Sequence, residues 1–143
     1  MKMRSAGILF IFVTSVFAMP QIVSGQDAGL AGDWRAANPR TRGITRILVS
    51  GAETGSSVRA FGKCHPNDCD WGLATLYPVG DSVEDHSFNR GFAVWDSGFA
   101  TKFVTITKLG DCLAVETVTI FNDRSGRANF RVREVLKRAG PLE

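Results

Sequence analysis

Lys102-Phe103-Val104-Thr105-Ile106-Thr107-Lys108-Leu109-Gly110-Asp111-Cys112-Leu113-Ala114-Val115-Glu116-Thr117-Val118-Thr119-Ile120-Phe121 is the stretch that decides the fold class. Apolar and hydroxylated residues alternate from Lys102 to Thr107, Gly110-Asp111 carries turn chemistry, and Cys112 to Phe121 is a long run of Val, Thr and Ile. Side chains branched at Cβ crowd a helix but pack well on a pleated surface. The stretch therefore reads as two strands joined by a hairpin.

The same pattern extends in both directions. Asn122-Asp123-Arg124-Ser125-Gly126 is the next turn, after which Phe130, Val132 and Leu136 share one face of a final strand and Arg131, Arg133 and Lys137 the other. Upstream, Gly43 to Val49 stops at Ser50-Gly51, and Ser57 to Phe61 resumes after Gly55-Ser56, giving a second hairpin. Trp71 to Tyr77 is a strand candidate expected to close at Pro78, which has no N–H to donate to a ladder. Phe88 to Trp95, ended by Asp96-Ser97-Gly98, and an opening Asp33-Trp34-Arg35 bring the count to about eight strands. No segment sustains a 3.6-residue apolar period, so helices are minor. Short turns between consecutive strands predict an all-β fold, a small up-and-down antiparallel β-barrel that leaves no exposed edge. The competing architecture is a β-sandwich.

The 143 residues accommodate one hydrophobic core. With 44% hydrophobic and 22% charged residues, the chain is too apolar for disorder and too mixed for a polytopic membrane protein. Lys2 and Arg4 precede an apolar run from Ala6 to Ala18, the pattern of a secretory signal peptide over residues 1–25. Cleavage fits best after Val23-Ser24-Gly25, with Ala18 as the alternative and a retained anchor as the competing reading. Residues 26–143 then form the single domain. Loss of Lys2 and Arg4 leaves 15 basic against 14 acidic residues, a net charge of +1. That balance gives no reason to expect nucleic acid as a partner or stable membrane insertion after cleavage. Arg124, Arg127, Arg131, Arg133, Lys137 and Arg138 cluster locally and read as a solvated face, with anion binding as the sharper alternative.

The densest constellation is Phe61-Gly62-Lys63-Cys64-His65-Pro66-Asn67-Asp68-Cys69-Asp70-Trp71-Gly72. In an exported chain, Cys64 and Cys69 read first as a local disulfide pinning a turn. Cys112 is then a small buried hydrophobe, a partner for one of those two sulfurs, or a fourth ligand with Cys64, His65 and Cys69 in a zinc site. No metal and no cofactor is expected. His65 and His86, the only histidines, sit in no catalytic motif and read as loop residues. Trp34, Trp71, Trp95 and Tyr77 either fill a barrel core or line a pocket. Arg46, Arg59 and Glu116 lie in apolar strands, where an inward charge would need a partner, as in an Arg–Glu pair across the lumen.

The chain resembles a family of small exported bacterial domains. The resemblance rests on Gly32-Asp33-Trp34, on Arg42-Gly43-Ile44-Thr45-Arg46, on the Gly62 to Gly72 block and on Phe121-Asn122-Asp123-Arg124-Ser125-Gly126-Arg127. The opening Gly-x-Trp is also similar to the first strand of lipocalins and avidins. These resemblances imply the barrel and an exported compartment, and carry over no catalytic residue. The lipocalin and avidin analogy implies small-ligand binding. The expectation is thus a secreted or periplasmic, non-catalytic binding module for a small molecule or an extracellular protein. Trp34, Arg46, Trp71, Tyr77 and Trp95 are the expected ligand-binding residues. The alternatives are an interaction or inhibitor domain using the Cys64–Cys69 loop, and a barrel enzyme using a histidine.

Overall fold

The computed structural model describes residues 29–51 and 56–139. The expected signal peptide and most of the turn between Ser50 and Ser57 lie outside these residues. The described chain forms nine antiparallel strands: β1 (Gly32–Ala36), β2 (Ile44–Ser50), β3 (Ser57–Gly62), β4 (Cys69–Thr75), β5 (Tyr77–Val79), β6 (Arg90–Asp96), β7 (Ala100–Leu109), β8 (Cys112–Phe121) and β9 (Phe130–Arg138). The hairpin of β7 and β8 is the longest, running in register from Ala100 opposite Phe121 to Leu109 opposite Cys112, and Gly110 turns it at φ +59°.

The spatial order is β4-β3-β2-β1-β9-β8-β7-β6-β5, so the sheet ends are β4 and β5, which are consecutive in sequence. Only Leu76 separates them. β4 and β5 are two halves of one bent strand: the first pairs with β3, the second with β6. Counted that way the fold is an eight-stranded meander closed by pairing of β1 with β9. Leu76 is buried at the bend, with its N–H donated to the Ser56 carbonyl. Pro78 does not end the strand as its chemistry suggests. It lies inside β5, which has a ladder on one side only, so a missing N–H is tolerated there.

Where β4 passes β6 there is no ladder, and two tryptophans bridge the seam. Trp71 and Gly72 together oppose the single residue Ala60, a β-bulge with Gly72 at φ +80°. The Trp95 indole N–H donates to the Gly72 carbonyl at 3.0 Å, and the Trp71 and Trp95 rings meet edge to face at 5.8 Å.

Alternation along the strands sends one face inward. Ile47, Val58, Ile106, Leu113, Val115 and Leu136 make the packed centre. Trp34 plugs the end formed by the starts of β1 and β8, with no exposed surface, its indole N–H on the Leu30 carbonyl at 3.0 Å and Arg138 4.2 Å above its ring. The interior is therefore solid at this end. Among the described residues no helix is long and apolar enough to cross a membrane.

Candidate functional site

At the other end the interior opens into a cup of about 490 Å³. Its location follows from the register. Trp95 pairs with Lys102, Lys102 with Thr119, and Thr119 with Phe130, giving one row across β6 to β9. The next row inward is Ala93, Val104, Thr117 and Val132. Below it, Ile106 and Val115 are buried and the core is closed. The inward face of β8 thus changes from Leu113 and Val115 to Thr117 and Thr119, and that of β7 from Ile106 and Val104 to Lys102.

Trp71 forms the opposite wall. It packs so tightly on Gly62 that a Cβ there would lie 2.7 Å from the indole nitrogen. The Lys102 ammonium rests 4.7 Å from the centre of the Trp71 ring and 3.2 Å from the Ser97 hydroxyl oxygen. Burial pushes the Lys102 amine below its ordinary value, and it makes no ion pair among the described residues. Thr117 is only 6% exposed, and its Oγ1 has no hydrogen-bond partner among the described residues. Phe99 and Phe130 stand at the rim, both with substantial exposed ring surface.

Two further devices hold the rim. Cys64 and Cys69 are joined by a disulfide with their Cα atoms 5.5 Å apart, immediately beyond the last pair of the β3–β4 ladder, Gly62 and Cys69. Glu134, inward on β9, accepts from the Thr41 hydroxyl and, at 2.6 Å, from the Ile44 N–H, fixing the chain that enters β2.

Of the expected ligand-binding residues, Trp71 lines the cup, and Trp95, in the same row as Lys102, is buried beside it as part of the seam. The other three do not join them. Trp34 is the plug at the far end. Tyr77 lies on the outer surface, stacked on Phe92 at 5.0 Å. Arg46 is bound bidentately to Asp33 at 2.9 and 2.7 Å on the outer face of β1 and β2. That hydrogen bond, above all, holds the Asp33 carboxyl below its usual range. Among the described residues no charged pair crosses the lumen: Arg59 meets Asp70, and Glu116 meets Arg131 and Arg133, each pair on the outer face between neighbouring strands. The basic cluster is likewise dispersed, with Arg127 held by Asp123, whose pKa falls to about 2, chiefly through the Ser125 hydroxyl.

Cys112 is half-buried and free, opposite Leu109 and Lys137 at the plugged end. The barrel's length separates it from Cys64 and Cys69, which excludes a disulfide to either and removes the fourth ligand of the zinc alternative. Among the described residues no group of three or more His, Cys, Asp or Glu is placed to hold a metal. His65 and His86 are both exposed, one in the disulfide loop at the open end and the other in the β5–β6 connection at the plugged end. Lys102, Thr117, Thr119, Phe99 and Phe130 were not anticipated as site residues. The signal for them is the change from aliphatic to polar along the inward positions of β7 and β8.

No protein-family model, curated protein or solved structure matches this chain. The fold and the site define it by class alone: a nearly closed antiparallel β-barrel, solid at one end and hollow at the other.

Proposed function

We propose that the chain is an exported, non-catalytic binding module that takes a small molecule into the open end of the barrel. The observation carrying this reading is the Thr117 hydroxyl, buried without a hydrogen-bond partner in the wall of the cup. An unsatisfied buried hydroxyl costs roughly 1–3 kcal/mol, and a guest bearing a polar group recovers that loss. The aromatic surfaces of Trp71, Phe99 and Phe130 add flat apolar area at little entropic cost. Export is supported by the signal-like leader and by the Cys64–Cys69 disulfide, a bond that persists in oxidising compartments.

The test is a fluorescence titration of the oxidised protein with the neutral dye N-phenyl-1-naphthylamine. Saturable binding is expected, weakened about tenfold or more in Trp71→Ala, the loss of one large aromatic contact, and unchanged in Tyr77→Ser on the outer surface. Absence of saturable binding, or loss in Tyr77→Ser with retention in Trp71→Ala, overturns the proposal. The solvent-exposed loop residues 65–68 are the surface on which a protein partner would then be sought.

A further inference from the structure

Resting on the cup as a ligand site, we infer that its guest is an anion, a carboxylate or sulfonate carried on a flat apolar body, with the charge placed between Lys102 and the Thr117 hydroxyl. The geometry comes from the ladder. Lys102 stands directly opposite Thr119 and diagonal to Thr117, on the same face of adjacent strands. Diagonal neighbours lie roughly 7–8 Å apart at their Cα atoms, a span that one oxyanion group and a lysine side chain fill.

Charge sign separates an anionic guest from a neutral or cationic one. Lys102 shares the inward face with Thr117 and Thr119; Arg42 and Lys63 also line the cup, Lys63 paired with Asp68 at 3.4 Å, and no carboxylate lies within ion-pair distance of Lys102 among the described residues. The acidic side chains at the cup are otherwise engaged: Asp70 holds Arg59 and the Gly72 N–H, while Asp96 accepts from the Gly98 N–H at 2.8 Å. A partly desolvated ammonium held by two ring faces, Trp71 at 4.7 Å and Phe99 at 5.7 Å, and one hydroxyl has donor capacity left over, since an ammonium offers three N–H groups. The depressed basicity of Lys102 has the same origin, loss of solvent without a counter-charge. A second groove, outside β7 to β9, is of similar volume, but its Glu116 and Arg133 already neutralise each other. The cup is the place where a positive charge awaits a negative one.

The experiment compares two dyes that share one body. 8-Anilinonaphthalene-1-sulfonate is N-phenyl-1-naphthylamine with a sulfonate added, so the ratio of their dissociation constants isolates the charge. Wild-type protein is expected to hold the sulfonate about tenfold or more tighter than the neutral dye, the usual scale of a charge-assisted hydrogen bond. Lys102→Met should bring the ratio close to one by weakening only the sulfonate, and Lys102→Arg should restore most of the preference. A neutral dye bound as tightly as the sulfonate, or a ratio unmoved by Lys102→Met, overturns the anion while leaving the cup standing. Binding of neither dye overturns both.

Discussion

The indole N–H of Trp95 on β6 donates to the carbonyl oxygen of Gly72 on β4, across the one interval of the barrel wall with no backbone ladder. Because Gly72 sits in a bulge at φ +80°, its carbonyl is free to meet a side chain rather than a neighbouring strand. Trp95→Phe keeps one aromatic ring but removes the N–H donor together with the five-membered ring that carries it. It is expected to cost about 1–3 kcal/mol for the unpaired, part-buried acceptor, with a further loss from the space the smaller ring leaves. In hydrogen exchange, amides of β4 and of the upper half of β6 should lose protection before those of β7 and β8. Uniform loss over all strands would mean that the seam is not a separate weak point.

In the proposed anion site, Lys102 would set binding against stability. Its folded pKa lies below the ordinary 10.5, so between those two values the unfolded chain binds more protons and stability rises with pH. Below that interval the ammonium is charged in both states and its desolvation works against the fold. Lys102→Met should therefore stabilise the protein at pH 7, by about 0.5–1 kcal/mol after discounting for the solvent that still reaches the amine. An unchanged urea midpoint would show that the Trp71 face already compensates the charge.

For Asp33 it is the charged form that the fold favours. The Arg46 guanidinium holds its folded pKa below 3.8, so this pair contributes fully above the unfolded value and is lost as pH falls through the folded one. The Asp33 side chain is 8% exposed and that of Arg46 31%, a half-screened pair for which a contribution of about 1 kcal/mol is reasonable. Asp33→Asn should lower stability at neutral pH and flatten its decline on acidification. A decline as steep as that of the parent would assign acid sensitivity to other carboxylates.

Removal of the disulfide by Cys64→Ser with Cys69→Ser should destabilise the barrel by about 2 kcal/mol, the loop-closure value for a ring this short. Because Lys63, Cys64 and Cys69 border the cup, binding of the neutral dye should weaken more than chemical denaturation alone accounts for. Equal affinity in the reduced and oxidised proteins would confine the bond to a stabilising role.

Glu134→Ala strips the Ile44 N–H and the Thr41 hydroxyl of their shared acceptor. Ile44 is fully buried, so the orphaned N–H should cost about 1–3 kcal/mol, measurable as a fall in the urea midpoint. Glu134→Gln, which keeps an acceptor oxygen, should recover part of the loss.

The strands were legible because their chemistry is local. Val, Thr and Ile alternate between Gly-bearing turns from β7 to β8, and Phe130, Val132 and Leu136 share a face just as period-two spacing requires. The exchange of partners at Leu76 was not legible. Trp71 to Tyr77 reads as an unbroken strand, and which neighbour each half takes is decided by closure of the whole ring. The site was only partly visible for a related reason. Large aromatics draw attention wherever they stand, yet Trp34 is a plug and Tyr77 faces outward. Lys102, Thr117 and Thr119 look like ordinary strand residues until their phase is known, because a period of two leaves the choice of face to tertiary packing.

Pairing of β1 with β9 brings residues 34–36 and 136–138 side by side, with the Ala139 N–H donated to the Asp33 carbonyl. Residues 29 and 139, the limits of the described chain, therefore lie at the end of the Trp34 plug, at the pole opposite the cup. A tether attached directly before residue 29 or after residue 139 would leave the hollow pole facing outward, so immobilised display would keep the cup accessible.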